Sequence, residues 1–180
     1  MLTIITPCSR QNNIQNLYDS IKFDKINKWI IVYDTSKNRS YKKLYKGNPK
    51  IIEVGCDDIG ISGNSQRNYG MTLVNDGYIY FLDDDNIIHP NFWSIIDSLD
   101  NDFFYTFNQL RQDNTFIGNN IKVGMIDTAM FVVHKNHIKN IKWNVDRYDA
   151  DGYFISDVFN NNRSKHKFIN QIGSYYNFLN

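Results

Sequence analysis

Three consecutive aspartates and an asparagine, residues 83–86, directly follow an apolar run over residues 78–82. In open α/β sheets, ligands bind beyond the carboxyl ends of the strands, so this position is typical of a binding site. Adjacent carboxylates repel one another, and a bound cation or a hydrogen-bond network keeps them ionised. Oxygen ligands of this kind suit Mg²⁺ or Mn²⁺, which leave room for substrate phosphates. The alternative is a helix cap or a solvated turn.

Two further features could lie at the same rim of a sheet. Asp34 closes a second apolar run and could accept hydrogen bonds from a nucleobase or a ribose hydroxyl, although a turn role is the alternative. The glycine-rich loop 60–68 enters a predicted helix, and its glycines permit close approach to a ligand. Arg67 in this loop could neutralise a diphosphate or order the aspartates, or it could pair with a carboxylate at the core edge.

Four acids crowd the late segment 143–157 and are candidates for a general base that deprotonates an acceptor hydroxyl. A helix N-cap is the alternative role for each of them, and their spacing does not choose among the four. They are Asp146, Asp149, Asp151 and Asp157.

The histidines carry a weaker signal. His134 and His137 have a spacing that can bind zinc, but no third ligand is near in sequence, so we expect surface positions. His166 could complete a cation site, with a surface or core-edge position as the alternative.

Strand-like and helix-like patterns alternate along the chain and position these residues. The predicted strands cover residues 2–6 (halted by Pro7), 29–33, 51–54, 78–82, 103–107 and 126–133. The predicted helices cover residues 12–22, 65–75, a segment opened by residues 89–90, and 151–162. The side chains expected to be buried in the second and last helices are Tyr69, Leu73, Val74, Tyr153, Phe154, Val158 and Phe159. This alternation predicts an α/β sandwich with a mainly parallel sheet.

The 180 residues suit a single domain, 1–180, and a hydrophobic share of 42% excludes a disordered chain. A net charge of +1 without a basic face argues against nucleic acid or an anionic membrane as the main partner. Two cysteines without CxxC spacing, no signal-peptide pattern and no apolar run of about 20 residues lead us to expect a cytoplasmic protein. A homo-oligomer is left open.

Five segments, taken in order, resemble nucleotide-sugar glycosyltransferases of the GT-A type. They are Ile4-Ile5-Thr6-Pro7 with Ser9-Arg10, the strand ending in Asp34, Gln66-Arg67-Asn68, residues 81–86, and residues 126–131. Their order and spacing resemble the large family 2 of inverting transferases. The start ITPxxSR, QRN and DDDN also resemble the animal glucuronyltransferases of family 43. The resemblance spans residues 2–159 and implies a GT-A, Rossmann-like three-layer sandwich with a mostly parallel central sheet. Residues 1–100 would be the nucleotide-binding half and residues 101–180 the acceptor half.

The resemblance also implies roles for individual residues. Thr6, Pro7, Ser9 and Arg10 would line the base end of a nucleotide pocket, with Asp34 holding the base. Arg67 would lie beside the pyrophosphate, and Asp83 or Asp84 would meet the ribose. Asp85, with Asp83 and His166 as further candidates, would ligate Mn²⁺ or Mg²⁺. Asp127 would touch the donor or acceptor sugar. Asp151 would be the base, with Asp149 second.

The implied reaction is metal-dependent transfer, with inversion, from a nucleoside-diphosphate sugar to a hydroxyl of a glycan or another acceptor. UDP is the nucleotide that the family favours. The chain departs from the family in its short acceptor half and in lacking the usual late Glu-Asp pair. One alternative is a non-catalytic or degenerate nucleotide-sugar-binding module. Another is a sugar-phosphate nucleotidylyltransferase, although the loop after the first strand lacks the glycines that such an enzyme needs.

Overall fold

The structure is a computed structural model that describes residues 1–179. Within these residues, nine strands form one sheet. They are β1 (Leu2–Cys8), β2 (Lys28–Asp34), β3 (Ile51–Cys56), β4 (Tyr78–Phe81), β5 (Ile87–Ile88), β6 (Phe104–Arg111), β7 (Asn114–Phe116), β8 (Phe131–His134) and β9 (His166–Tyr175). The helices are α1 (Ile14–Ser20), α2 (Asn64–Thr72), α3 (Phe92–Asp97), α4 (Lys135–Ile138) and α5 (Ala150–Asn161).

The sheet has the strand order β3-β2-β1-β4-β8-β6-β9-β5, with β7 paired to β6. Strands β1 to β4 pair in parallel, and β9 is parallel to β6, whereas β8 and β5 run the opposite way. The sheet is therefore mostly parallel, as the alternation of patterns predicts. The carboxyl ends of β1, β2, β4 and β6 consequently meet at one edge.

Helices cover both faces of the sheet. Successive strand residues point to opposite sides, and in β1 the residues on both sides are buried. Ile4 belongs to a core that also contains side chains of α1 and α3, and the neighbouring Ile5 belongs to a second core with side chains of α2 and α5. These are the three layers of the predicted sandwich. In residues 1–179 there is no helix with the length and apolar character that a membrane crossing requires.

Strand β1 continues through Pro7 to Cys8, although the sequence predicts that it stops before the proline. The carbonyl of Ile5 accepts a hydrogen bond from the Leu82 amide, on the side of β4. Alternation places Pro7 on that same side, beyond the last β1–β4 pair at Ile5 and Phe81. The missing N–H of the proline therefore costs no ladder bond.

The predicted inward faces of two helices are partly wrong. Tyr69 and Leu73 in and after α2 are each 38% exposed, and Tyr153 in α5 is 39% exposed. Helix α2 instead turns Gly70 toward the sheet, where a β-carbon would lie only 2.6 Å from the Ile5 side chain. This close approach rotates the polar residues of α2, Arg67 included, into the protein.

Three strands are absent from the sequence prediction, and one segment is only partly as predicted. The C-terminal strand β9 mixes polar and apolar residues without a regular alternation, and β5 and β7 have only two and three residues. In the predicted strand 126–133, a 3₁₀ turn at Thr128–Met130 precedes β8. It is β9, inserted between β6 and β5, that completes the part of the sheet formed by residues after 100.

Gly63, the residue that precedes α2, packs against Pro7 near the end of β1 and gives a testable prediction. Its φ is +78°, and a β-carbon there would lie 2.6 Å from the Pro7 Cβ. We expect Gly63→Ala to lower the free energy of unfolding by about 2–4 kcal/mol, from positive-φ strain plus overlap. Urea unfolding measures this. Gly47→Ala is the control, because its φ is +95° but nothing lies within 4 Å, so about 1–2 kcal/mol is expected. Equal losses in both variants would contradict the packing argument.

Candidate active site

A cavity of about 520 Å³ opens at the carboxyl ends of the parallel strands. Eleven of the thirteen residues predicted for the site line it. These are Pro7, Ser9, Arg10, Asp34, Arg67, Asp83, Asp84, Asp85, Asp127, Asp149 and Asp151. The volume is within the range of small-molecule sites.

The structure places Thr6 and His166 outside this cavity, against prediction. Thr6 is fully buried, and its hydroxyl accepts a hydrogen bond of 3.0 Å from the Trp29 indole, because β1 turns it toward the α1 side. His166 lies beside Phe104 at the opposite end of β6 from Arg111 and bonds the Thr106 hydroxyl at 2.9 Å. The length of a strand separates His166 from Asp83 and Asp85, so it cannot share a cation with them.

Asp84, which follows β4, forms hydrogen bonds with the loop that follows β1. One carboxyl oxygen accepts hydrogen bonds from the backbone amides of Ser9 and Arg10, both at 2.7 Å. The other accepts from the Arg10 Nε at 2.9 Å, and the side chain is 3% exposed. Both oxygens are thus occupied by the protein.

Arg10 bridges two of the strand-end aspartates. Its Nη2 lies 2.6 Å from an oxygen of Asp84 and 2.6 Å from an oxygen of Asp85. Burial raises the pKa of Asp85, and Arg10 opposes that rise. The guanidinium therefore favours the ionised form of the Asp85 carboxyl.

Arg67 makes the corresponding contact with Asp83. Its side chain is 5% exposed, donates to Asp83 and also donates to the Ser62 carbonyl at 2.7 Å. The guanidinium carbon lies 4.6 Å from the ring centroid of Trp143. Burial nevertheless raises the pKa of Asp83 to about 6, against the pull of Arg67. The contact with Asp83 fits two of the three roles that the sequence suggests for Arg67, the ordering of the aspartates and the pairing with a carboxylate at the core edge.

Helix α2 also fixes the segment that leads to the late acids. The Asn68 amide group exchanges two hydrogen bonds of 2.9 Å with the backbone of Trp143. The Asn64 amide donates to the carbonyls of Asn144 and Arg147 at 2.9 and 2.8 Å. Asn68 and Arg67 of the QRN motif, together with Asn64 at the start of the helix, thus connect α2 to residues 143–147 in the second half of the chain.

Asp151, in the first turn of α5, has the properties of a general base. Burial raises its pKa to about 7, and the nearby charges of Asp127 and Asp83 raise it further than Arg67 lowers it. Its Oδ1 accepts only the amide of Gly152, at 2.7 Å. A carboxyl with this pKa exchanges a proton near neutral pH.

The other late acids fit a base less well. Asp149 is exposed and holds Arg147 at 2.9 and 3.1 Å, and this hydrogen bonding lowers its pKa. Asp146 and Asp157 do not line the cavity.

At the two ends of the cavity lie Asp34 and Asp127. Asp34 accepts the Ser36 amide at 2.9 Å and pairs with Arg39 at 2.5 Å. Asp127 accepts the Gln109 side-chain amide at 2.8 Å.

Seven aspartates and three arginines line the cavity, so its charge is strongly negative when the acids are ionised. The aspartates offer carboxylate oxygens, and such oxygen atoms suit Mg²⁺ or Mn²⁺. Within residues 1–179 no group of three or more His, Cys, Asp or Glu residues is arranged to hold a metal ion alone. A cation here would therefore need water or substrate oxygens beside Asp83 and Asp85, which is the usual manner of Mg²⁺ binding.

Several cavity residues were missed by sequence reasoning. Arg111 lies at the end of β6, four residues beyond the predicted end of this strand, and its position at a strand end is the signal that could have identified it. Tyr148, 81% exposed, and Tyr176 come from irregular segments that offer no periodic signal.

The chain matches no protein-family model, and no curated protein matches it by sequence. Its fold is similar to that of S. aureus TarS 1–349, with a TM-score of 0.75 and 12% identity over 97% of this chain and 59% of that chain. The same TarS fragment in complex with UDP-GlcNAc gives a TM-score of 0.72 and 10% identity over 97% of this chain and 57% of that one. A mycobacterial protein gives a TM-score of 0.63 and 11% identity over 94% and 65%.

This likeness, together with the mostly parallel sheet, confirms the predicted fold class. The chain spans about three fifths of the length of the TarS 1–349 structures and 36% of the longer TarS structure.

The position of Arg10 predicts its effect on cation binding. Arg10→Gln removes a positive charge that contacts Asp84 and Asp85 at 2.6 Å, while its backbone amide still holds Asp84. We expect affinity for Mn²⁺ alone to rise about tenfold, equivalent to about 1.4 kcal/mol. Isothermal titration calorimetry without nucleotide measures it. Arg163→Gln, exposed on the far side of the chain, is the charge-matched control. Unchanged or weaker Mn²⁺ binding in Arg10→Gln would rule out competition between guanidinium and cation.

The raised pKa of Asp151 predicts a pH-dependent change in stability. The folded chain keeps this proton up to about pH 7, whereas the unfolded chain loses it near pH 4. The ionised carboxyl therefore lowers wild-type stability progressively as the pH rises from 4 to 7. We expect Asp151→Asn to be roughly 2 kcal/mol more stable than wild type at pH 8, with little difference at pH 4.5.

Urea unfolding at the two pH values checks this stability difference. Asp157→Asn, on the exposed face of the same helix, is the control that should show no such pH dependence. A stability gain for Asp151→Asn that is equal at both pH values would show that ionisation is not its cause.

Proposed function

We propose that the chain is an inverting glycosyltransferase that moves a sugar from a nucleoside-diphosphate sugar, with UDP favoured, to a hydroxyl acceptor. The observation that carries this proposal is one cavity that holds both the strand-end aspartates and Asp151. The first group suits a nucleotide diphosphate with its cation, and Asp151 suits proton removal. The likeness to TarS, whose structures include complexes with UDP and UDP-GlcNAc, supports the choice of donor.

In this proposal the nucleotide lies along the ends of β2, β1 and β4. Pro7, Ser9 and Arg10 border the base and ribose, and Asp34 at the end of β2 faces the base. The carboxyl of Asp34 already holds the Ser36 amide and Arg39, so it meets the base with its remaining lone pairs. Residues 1–100 then form the nucleotide-binding half, as the resemblance implies.

A divalent cation, Mn²⁺ or Mg²⁺, belongs to the proposal because a diphosphate adds negative charge to an already acidic cavity. Asp85 and Asp83 would hold it, since each has one arginine partner and a second oxygen that accepts no hydrogen bond from another described residue. When bound, the cation supplies positive charge that offsets the charge of the departing diphosphate. The aspartates then need not lose charge through protonation.

The chain's own residues perform the proton transfer and position the reacting groups. Asp151 accepts the proton of the acceptor hydroxyl, whose oxygen then attacks the anomeric carbon from the face opposite the leaving diphosphate. One displacement of this kind inverts the anomeric configuration and forms no covalent enzyme intermediate. Arg67, buried beside Asp83 and Trp143, keeps a fixed positive charge at the cavity floor. Asp127 and the acceptor half, residues 101–180, border the sugar and the acceptor.

Asp151→Asn tests the proposed base. We expect kcat for UDP release from UDP-GlcNAc or UDP-glucose, with water as acceptor, to fall about 10²–10⁴-fold while UDP affinity is unchanged. In wild type, kcat/KM should rise with pH and level off above about 7, because the base must be ionised.

Asp149→Asn is the matched control and should lose less than threefold, since Arg147 already holds that carboxyl. Activity that survives in Asp151→Asn would overturn the mechanism. Wild type that binds UDP with Mn²⁺ but neither hydrolyses nor transfers any donor would establish the binding-module alternative.

A further inference from the structure

Arg111, the last residue of β6, is held in an unusually fixed position. Its guanidinium carbon lies 3.9 Å from the ring centroid of Phe116 and 4.2 Å from that of Tyr176, one ring from each neighbouring segment. Its Nε donates a hydrogen bond of 2.9 Å to the side chain of Gln109, which is fully buried. Stacking and this bond together restrict the rotation of the planar group.

The outer edge of this guanidinium is free. Its nearest carboxylate is Asp127, where Nη2 and Oδ1 are 3.8 Å apart, too far for a hydrogen bond. Among residues 1–179 neither terminal nitrogen of Arg111 donates a hydrogen bond. Arg67 is the contrast, because its terminal nitrogens donate to Ser62, Asn64 and Asp83.

Arg111 and Asp34 line the same cavity at opposite ends. Asp34 is on β2 and Arg111 on β6, four strands further along the order β2-β1-β4-β8-β6. At about 4.8 Å per strand, this separation is about 19 Å. If the base lies at Asp34, as the proposed function has it, Arg111 lies beyond the diphosphate, at the sugar and acceptor end.

We propose that Arg111 binds an anionic group of the substrate, a phosphate or a carboxylate, at the cavity end remote from the nucleotide base. A planar guanidinium with two free terminal nitrogens matches the two oxygens of such a group. The terminal nitrogens of the other two cavity arginines, Arg10 and Arg67, already donate to aspartates. Within residues 1–179 those of Arg111 donate no hydrogen bond, so Arg111 is the arginine in this acidic cavity that can bind one negative group of a substrate. The anion belongs to the acceptor or to the donor sugar, and the assignment of this end rests on the proposed function.

Calorimetric titrations of the full chain, saturated with UDP and Mn²⁺, test this proposal with paired probes. Glucose 6-phosphate against glucose tests an acceptor anion, and UDP-glucuronate against UDP-glucose, with the UDP omitted, tests a carboxylate on the donor sugar. We expect the anionic member of one pair to bind at least tenfold tighter than its neutral partner. Arg111→Gln should abolish that preference, and Arg111→Lys should retain only part of it. Asp127→Asn should increase the preference by removing a competing charge.

The controls separate recognition from structure. Arg163→Gln removes an equal charge on the exposed far side of the chain and should leave the preference intact. Affinity for UDP alone should be the same in Arg111→Gln and wild type. A tenfold loss of UDP affinity would assign Arg111 to the diphosphate, and a wild type with no preference in either pair would make Arg111 a partner of Asp127 only. Either result overturns the proposal.

A titration with inorganic phosphate and no nucleotide separates this inference from the proposed function. If phosphate binds in an Arg111-dependent manner while UDP does not bind at all, the proposed glycosyl transfer fails but the anion site stands. If UDP binds and phosphate binding is the same in wild type and Arg111→Gln, the anion site fails while the proposed function stands.

Discussion

Electrostatic repulsion among seven aspartates around one cavity is the constraint that organises this chain. Each carboxylate needs a counter-charge or a donor, and the fold meets the need in different ways. Asp84 takes backbone amides, and Asp85 and Asp83 each take an arginine. The pKa of Asp151, about 7, is higher than that of Asp83, about 6. Burial, and then the nearby charge of Asp127, together raise the pKa of Asp151.

The position of the Asp151 carboxyl depends on helix α2, which belongs to the first half of the chain and contacts residues 143–147 in the second half. Its polar face is turned inward because Gly70 packs closely on Ile5. Asn64 and Asn68 then bind the backbone of residues 143–147, and Arg67 stacks on Trp143. The segment held in this way leads directly into α5 and Asp151. Buried polar residues here specify a geometry that apolar packing alone would leave loose.

Sequence patterns predicted the parallel half of the fold well because its strands are apolar runs that end at polar residues. For that reason Asp34 and Asp83 to Asp85 could be predicted as residues of the cavity, since the sequence alone shows that they follow apolar strands. The inward face of α2 could not be predicted in this way, because it depends on the contact between Gly70 and Ile5, which are 65 residues apart in the sequence. Thr6 was misplaced because a motif gives no information on which way a strand turns its side chain. His166 was misplaced because the sequence does not predict β9, whose first residue lies at the opposite end of β6 from the cavity.

Strand β9 lies between β6 and β5 and pairs with β6, whose Thr106 meets Phe168 some 62 residues later in the chain. At about 5–20 residues per second, a ribosome needs roughly 3–12 seconds to make that interval. During this time β6 has an unpaired edge, which is an aggregation hazard in a nascent chain. The strand that carries Arg111 at its end therefore has to remain without its β9 partner until most of the chain has been made.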